Sequence, residues 1–549
     1  MATVALSREN SVVITPDGRF DAISLDDIRG LHWLLPDEPL CAYPLELFMR
    51  DYYEPRLLQR VFAGERLPAV PDLSTRNRLQ PAVRIVDIRP QSPTADTVSV
   101  TVEVASVTAS RAVSAARQES GVYGLRLFRD GQLVGQTLDE GLPASIRSGR
   151  ARVTFSNIAL PRRADLRQVE FSAYAFNADR VKSGTVATRW ELPQPLPAVK
   201  GRAYVIAVGV NAYENPALDL NFAASDAQRL QQTLTERLTT TGAYEEVVPI
   251  TLLSDHEMRE GKRAITRQQA TKSNLKLVLD LLAGRDTDPG QRQTIVNAER
   301  LRKVRPEDLV ILSFASHGYA DEAGKFYVVP YDSGSGNQRV VTPGLLHKSI
   351  SSDELSDWLR EVDAGEMVMI VDACQSAAAV QGDGFKPGPM GSRGLGQLAY
   401  DKGMRILAAT QADNAALENK QIRQGLLTYA LTRDGLELGR ADFKPADKTI
   451  TLGEWLAYAE KRVPELYAEI RSGQVRSPSA ATDEVPRVVL LSPETMNGST
   501  HNDAEPGRLL IQGKMAGKSD RPSLAEEQIQ QPSLFDYARR KRDVLLLQK

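Results

Sequence analysis

A short apolar run that ends in reactive side chains constrains the fold of this chain more than any other feature. Residues 367–371 are apolar without alternation, and Asp372 and Cys374 follow directly. A run of this kind is typical of a parallel strand that is covered on both faces. Because ligands bind at the carboxyl edge of such sheets, the run predicts an acid and a thiol that face substrate from a rigid backbone.

A second apolar run ends in the residue type that complements a thiol. Residues 309–314 read LVILSF, and Ser316, His317 and Gly318 follow at the carboxyl end. The thiolate is the nucleophilic form of cysteine, and an imidazole nearby can take its proton. We therefore predict His317 as the general base and Cys374 as the nucleophile. The backbone N–H groups of Gly318 and Cys374 are predicted to hold the oxyanion during acyl transfer.

At these residues the chain resembles the caspase-like cysteine peptidases, the clan of caspases, metacaspases and their bacterial relatives. The motifs that carry the resemblance are SHG at 316–318, DACQSA at 372–377, RAYVIAVGVNAY at 202–213 and NFAASDAQRL at 221–230. The resemblance covers residues 200–493. It implies an α/β fold with a mostly parallel sheet flanked by helices, in which His317 and Cys374 have the roles predicted above.

The resemblance also implies a substrate class. Asp372 stands where metacaspases, which cleave after Arg or Lys, carry Asp and where true caspases carry Gln; Asp226 stands at the second acid of the metacaspase-like pattern. Two carboxylates in one pocket favour a guanidinium or an ammonium group. A strand-end acid that accepts backbone N–H bonds and a helix-start charge are the simpler alternatives. Gln375 and Ala377 differ from the usual metacaspase His and Gly, so subfamily and calcium dependence stay open.

Two further segments are expected to matter for substrate handling. A Gly- and Pro-rich stretch at 382–396 is predicted to be an exposed loop, and Lys386 and Arg393 within it are candidates for self-cleavage. An uncut surface loop is an equally good interpretation. The segment after the next strand resembles the cleft-lining part of the family. The predicted subsite contacts in it are Thr410, Gln411, Ala412 and Asp413.

The rest of the sequence predicts a multidomain chain. Residues 1–80 are similar to a connector segment, and residues 81–195 alternate apolar and polar residues in short runs that predict an all-β immunoglobulin-like sandwich. The peptidase domain follows at 200–493. Residues 494–549 form a tail whose end favours a marginal amphipathic helix, with docking on the enzyme or on a partner as the alternative.

Composition narrows the cellular setting. The 549 residues include 42% hydrophobic and 25% charged residues and carry a net charge of −2, which argues against nucleic-acid or membrane binding by bulk electrostatics. The two cysteines lie in unrelated contexts and favour a reducing cytoplasm. The chain has no apolar run of bilayer length and opens without a leader pattern.

We therefore predict a cysteine endopeptidase that acts on protein substrates after Arg or Lys and needs no cofactor. Its bacterial relatives are often effectors of sensor or defence systems, so the resemblance implies regulation by a protein partner. Two other classes stay open. One is an Asp-directed caspase, and the other is a catalytically inactive caspase-like scaffold that binds partners.

Overall fold

Two units of different secondary structure follow one another along the chain in the computed structural model, residues 1–199 and residues 200–549. The structure describes residues 2–373 with short gaps, and beyond them residues 393–409, 418–419, 424–471, 509–510, 532–538 and 543–548. The gaps within 2–373 are 7–10, 23–27, 29, 37, 55–56, 63, 65–66, 68, 92–95, 110–118, 144–148, 321–324 and 338–339.

The first unit is built from strands, with two short helices. Its strands are β1 (Thr3–Leu6), β2 (Ser11–Ile14), β3 (Phe20–Ala22), β4 (His32–Leu35), β5 (Glu38–Pro44), β6 (Ala82–Pro90), β7 (Thr97–Ala105), β8 (Tyr123–Arg129), β9 (Gln132–Thr137), β10 (Arg150–Ala159), β11 (Gln168–Phe176) and β12 (Val186–Glu191). Its α-helices are α1 (Met49–Tyr52) and α2 (Leu57–Phe62).

Two antiparallel sheets of this unit share one apolar core. One sheet has the strand order β10-β7-β6 and the other has the order β12-β11-β8-β9. Alternate residues of β7, from Val98 to Val104, are fully buried, and they pack with Leu125 and Phe171 of the other sheet. This period-2 burial is the physical basis of the alternation in the sequence. The all-β character predicted for residues 81–195 is confirmed.

The hairpin between β8 and β9 shows how local residues set this topology. Asp130 and Gly131 form the two-residue turn with φ of 49° and 80°. Positive φ at both central residues matches the right-handed twist of the paired strands, and Asp-Gly adopts it at low cost. The Asp130 carboxylate also accepts the N–H of Glu170 at 3.0 Å, which joins the turn to β11.

The second unit alternates strands and helices. Its strands are β13 (Arg202–Val210), β14 (Glu246–Arg259), β15 (Lys262–Gln268), β16 (Leu309–Ser316), β17 (Gly318–Ala320), β18 (Phe326–Val328), β19 (Val340–Val341), β20 (Ile350–Ser351), β21 (Glu366–Ala373), β22 (Arg405–Ala408), β23 (Glu418–Asn419), β24 (Gln424–Gly425), β25 (Thr449–Thr451), β26 (Leu509–Leu510), β27 (Ser533–Asp536) and β28 (Leu545–Gln548). Its α-helices are α3 (Ala223–Thr241), α4 (Lys272–Ala283), α5 (Pro289–Arg292), α6 (Pro343–Lys348), α7 (Ser352–Leu359), α8 (Arg393–Lys402), α9 (Leu426–Tyr429) and α10 (Leu452–Arg471).

A seven-stranded mixed sheet organises this unit, in the order β15-β14-β13-β16-β21-β22-β27. The inner pairings from β14 to β22 are parallel, whereas β15 and β27 are antiparallel strands at the two edges. β16 is buried at every residue, which explains why its sequence does not alternate. The α/β fold with helices against a large mixed sheet agrees with the caspase-like expectation.

The helices begin where the local sequence supplies caps. The sequence predicts a helix at 272–282 that is capped by Thr271, and at the start of α4 the Thr271 hydroxyl accepts the N–H of Asn274 at 3.2 Å. At α7, Ser351 and Glu354 form a reciprocal capping box. Helix α3 ends at Gly242 in the left-handed conformation with φ of 61°.

The end of the chain differs from the predicted amphipathic helix. β27 pairs with β22 at the edge of the main sheet, and β28 pairs with β25. Leu546 of β28 is fully buried within the apolar cluster that covers one face of the sheet. The prediction was wrong because short apolar runs such as SLFD fit either structure, and pairing with a distant strand decided the outcome.

Two other predictions need smaller corrections. Helix α8 begins at Arg393, so the last part of the predicted 382–396 loop is helical. The sequence predicts one helix at 425–437, and in the structure α9 continues as a π-helix at Ala430–Glu437. The sequence also predicts a closing strand at 487–491, which lies outside the described residues.

A buried arginine ties the C-terminal strands to the sheet. Arg405 of β22 is 5% exposed, and its guanidinium contacts Glu366 at 2.6 Å, Asp543 at 3.1 Å and Asp536 at 3.1 Å. Burial by itself would lower the pKa of Arg405, but the three carboxylates raise it above its ordinary value. Asp543 also accepts the N–H of Gly453 at 2.7 Å at the start of α10.

We expect Arg405→Ala to destabilise the chain by about 3–5 kcal/mol, because it removes the cation beside the buried Glu366. The measurement is urea unfolding of the full chain. The matched control is Lys461→Ala, which removes a largely exposed pair with Glu465 at 4.0 Å and should change the unfolding free energy by about 0–1 kcal/mol. Equal effects of the two substitutions would contradict the role given to Arg405.

Candidate active site

His317 lies at the carboxyl end of β16, directly after the last residue of that strand. It is 1% exposed. Its backbone is held on both sides, because its N–H donates to the Tyr213 hydroxyl at 2.9 Å and its carbonyl accepts the N–H of Val329 at 2.9 Å. The imidazole therefore projects from a fixed point at the sheet edge.

The imidazole is oriented by one hydrogen bond and one ring contact. Nε2 of His317 lies 2.7 Å from the carbonyl oxygen of Leu218, and this oxygen can only accept, so Nε2 is the donor. In the neutral ring the lone pair then lies on Nδ1. The Tyr213 ring packs against the imidazole with centroids 5.2 Å apart. Nδ1 is the nitrogen that can take a proton from a nucleophile.

The strand β21 runs beside β16 in a parallel register that leads to Cys374. Ala315 is paired with Asp372, and Ser316 is paired with Ala373. The next residue on one strand is His317 and the next residue after Ala373 is Cys374. Cys374 itself lies outside the described residues.

The acid Asp226 reaches the same sheet edge from α3. It lies in the first turn of the helix and is 4% exposed. Helix α3 comes close to β13 at Gly209, where an added Cβ would lie 2.7 Å from the Ala223 carbonyl oxygen and 2.7 Å from the Ala227 Cβ. The Asn211 side chain accepts the N–H of Ala224 at 3.0 Å and fixes the helix start. Glycine at position 209 therefore leaves the space that α3 needs in order to bring Asp226 to the sheet.

Both acids point at Gly425, at the junction of β24 and α9. The N–H of Gly425 donates to Oδ2 of Asp226 at 2.8 Å. A Cβ added to Gly425 would lie 2.9 Å from Oδ2 of Asp372 and 3.0 Å from Oδ2 of Asp226. The two carboxylates, carried by a helix and a strand, therefore converge on one point.

A narrow cavity opens between these acids and the apolar faces of their elements. Asp226 and Asp372 contribute the charge, and Leu230, Ile370 and Leu427 contribute apolar wall. The cavity has a volume of ≈ 10 Å³, about enough for one water molecule, so it marks the place where the two acids meet the apolar core.

Of the remaining predicted site residues, Gly318 and Arg393 lie in the described part of the chain and the others do not. Gly318 begins β17 and is paired with Val328. Arg393 is the first residue of α8. The residues that lie outside the described part of the chain are Lys386, Thr410, Gln411, Ala412 and Asp413.

Three features of the site were not predicted from the sequence. The Leu218 oxygen is a backbone atom and leaves no signal in residue type. In the sequence, Tyr213 marks only the end of a motif, and Gly425 marks only the start of a predicted helix. For Gly425, a glycine directly before an apolar helical segment was the available signal.

Metal sites and membrane-spanning helices each require a recognisable arrangement of residues. Among the described residues, no group of three or more His, Cys, Asp or Glu side chains is arranged to hold a metal ion. No helix in the described part of the chain is long and apolar enough to cross a bilayer.

Comparison with known proteins identifies the class of the second unit. Residues 201–465 match the family model for the caspase domain of the C14 peptidases. The resemblance seen in the SHG and DACQSA motifs is thereby confirmed, over just under half of the chain. This part of the chain is similar to the caspase domain of those peptidases.

Comparison with curated proteins gives no match. Among solved structures, a polysaccharide deacetylase from Bacillus cereus matches at 9% identity, over 42% of this chain and 60% of that chain, with a TM-score of 0.12. The match therefore spans less than two thirds of that protein. A TM-score of this size gives no basis for transferring a fold or an activity.

Proposed function

We propose that the caspase-type domain is a cysteine endopeptidase that cleaves protein substrates after Arg or Lys. The observation that carries this proposal is the register of β16 and β21, which pairs Ser316 with Ala373. The residues that follow them are the predicted base and the predicted nucleophile. Neighbouring parallel strands lie about 4.8 Å apart, a separation across which an imidazole and a thiol can react, so this register supports the pairing of base and nucleophile that the proposal requires.

The proposed reaction is acyl transfer to sulfur followed by hydrolysis. The sulfur of Cys374 bonds to the scissile carbonyl carbon while Nδ1 of His317 takes the thiol proton. The carbon–nitrogen bond then breaks, and His317 returns the proton to the leaving amine. Water adds to the thioester with His317 as base, and the carbon–sulfur bond breaks to release the acid. The N–H groups of Cys374 and Gly318 stabilise the oxyanion in both steps.

The paired acids are proposed to select the residue before the cleaved bond. Asp226 and Asp372 would accept N–H bonds from a guanidinium. An Asp side chain in the same pocket would place a third carboxylate beside two others, which is unfavourable. This contrast favours basic substrates over those of an Asp-directed caspase.

The segment after β22 is proposed to supply further subsite contacts. Ala409 follows this strand, and its N–H donates to the Val371 carbonyl at 2.9 Å, beside the carboxyl end of β21. The residues that follow Ala409 in the sequence, Thr410, Gln411, Ala412 and Asp413, are the proposed contacts. Regulation by a protein partner, in the manner of bacterial effectors, is part of the proposal and rests on the family resemblance.

The immunoglobulin-like assignment of residues 81–195 is also proposed. The orders β10-β7-β6 and β12-β11-β8-β9 correspond to the E-B-A and G-F-C arrangements of that fold, with one additional strand beside C. This correspondence in strand order supports the assignment.

Fluorogenic peptides ending in Arg, Lys or Asp test the function. We expect hydrolysis after Arg and Lys, loss of activity in Cys374→Ala and His317→Ala, and a fall in kcat/KM of roughly 30-fold or more in Asp372→Asn, the effect of about 2 kcal/mol. Asp353→Asn is the control, since this acid lies on the exposed side of α7 and pairs with Lys325. Cleavage after Asp would instead indicate a true caspase, and inactivity on all three peptides would favour the scaffold.

Gly425→Ala tests the acid pocket separately from the chemistry. The backbone at Gly425 has φ of −65° and ψ of 147°, which alanine adopts without strain, so the change adds only a methyl group between the carboxylates. We expect a higher KM for Arg and Lys peptides, with the alkylation rate of Cys374 by iodoacetamide unchanged. An unchanged KM would place the substrate cation elsewhere.

Self-cleavage at Lys386 or Arg393 is the last part of the proposal. We expect wild-type chain to yield two fragments during incubation, with new termini after one of these residues by mass spectrometry, and the Cys374→Ala chain to stay intact. Arg393 begins a helix, so a cut there needs only the first turn to open. A single intact band from active enzyme would contradict self-cleavage.

A further inference from the structure

The turn between β13 and α3 holds His317 at two places. Its residue Tyr213 accepts the backbone N–H of His317, and its residue Leu218 accepts the proton on Nε2 of the ring. These two contacts, five residues apart in the turn, fix both the backbone and the imidazole. The geometry of this turn therefore determines where Nδ1 points.

Asp219 closes the turn on itself. Its Oδ1 accepts the N–H of Tyr213 at 2.9 Å, so the residue beside Leu218 is tied to the residue that contacts the His317 backbone. The Asn215 side chain accepts the N–H of Ala217 at 3.1 Å within the same turn. The Asp219 side chain is 15% exposed, and a carboxylate this buried needs a cation beside it.

Arg263 of β15 supplies that cation from the neighbouring hairpin. Its Nε lies 2.6 Å from Oδ2 of Asp219 and its Nη2 lies 2.8 Å from Oδ1, which is the two-point geometry of an Arg–carboxylate pair. The same Nη2 donates to the Tyr213 carbonyl at 2.6 Å. Arg263 thus contacts both ends of the turn that holds His317.

We propose that Arg263 and Asp219 are positioning residues for the general base, because they lock the Tyr213–Leu218 turn that orients the His317 imidazole. This inference rests on the proposed function in taking His317 as the base. Neither residue touches the acid pocket of Asp226 and Asp372 in the described contacts, so their effect falls on proton transfer rather than on substrate binding.

The physical reason is that the Leu218 carbonyl selects the tautomer. If the turn moves away, Nε2 loses its acceptor, and the proton can occupy either nitrogen. A proton on Nδ1 leaves no lone pair to receive the thiol proton. A displacement of about 1 Å can reduce a rate by about 100-fold, so a loosened turn reduces kcat even when the fold is intact.

The test compares Arg263→Gln and Arg263→Lys with Arg259→Gln. Arg259 lies on the same β14–β15 hairpin and is largely exposed in a pair with Glu257, so it is the matched control. We expect Arg263→Gln to lower kcat about 10- to 100-fold with KM within about twofold of wild type, Arg263→Lys to recover part of the loss, and Arg259→Gln to have no effect.

A second readout does not depend on activity. Nitrogen-15 spectra of histidine side chains distinguish the two tautomers, and His317 is assigned by its absence in His317→Gln. We expect the Nε2–H tautomer in wild type and a mixture in Arg263→Gln. Tyr213→Phe, which removes the acceptor of the His317 N–H and leaves the hairpin intact, should lower kcat in the same direction.

The outcomes separate this inference from the proposed function. Active enzyme whose kcat and tautomer are unchanged in Arg263→Gln would overturn the positioning role, as would parallel losses of kcat, KM and melting temperature with an unchanged tautomer. A wild-type chain that cleaves no peptide, but whose tautomer changes in Arg263→Gln, would contradict the proposed function and support the positioning role.

Discussion

The parallel pairing of β16 with β21 is the interaction on which the site depends. Both strands are covered on two faces, so burial of their apolar side chains fixes them in the sheet. Their register then determines which residues emerge together at the carboxyl edge. Since a shift of one residue would turn each side chain to the opposite face, the pairing of Ala315 with Asp372 also decides the face from which Asp372 reaches this edge.

The polar groups around this edge are organised by backbone atoms as much as by side chains. Leu218 orients the imidazole through its carbonyl, and Gly425 meets Asp226 through its N–H. Buried polar groups are costly unless they are hydrogen-bonded, so each of these contacts offsets part of the cost of placing charge and imidazole inside the protein. The two glycines, Gly209 and Gly425, make room for the approach of the acids.

The sequence predicted those parts of the molecule that are encoded locally. Unalternating apolar runs predicted β16 and β21, and a threonine before an amphipathic stretch predicted the start of α4. The Leu218 carbonyl could not be predicted, because any residue carries one. The strands near the C-terminus were missed for a related reason, since β27 forms through pairing with Arg405–Ala408, more than a hundred residues away in the chain.

These distant strands affect the site through the amino-terminal end of β21. Glu366 begins that strand, and Arg405 joins it to Asp536 and Asp543. A slip of β21 by one residue would separate Glu366 from the guanidinium inside the protein, which is a cost of several kcal/mol for a buried ion pair. Apolar packing alone distinguishes poorly between neighbouring registers of a strand. The ion pair between Glu366 and Arg405 requires one register and therefore opposes a shift of β21. The C-terminal strands thus help to keep Asp372 at the correct face of the sheet.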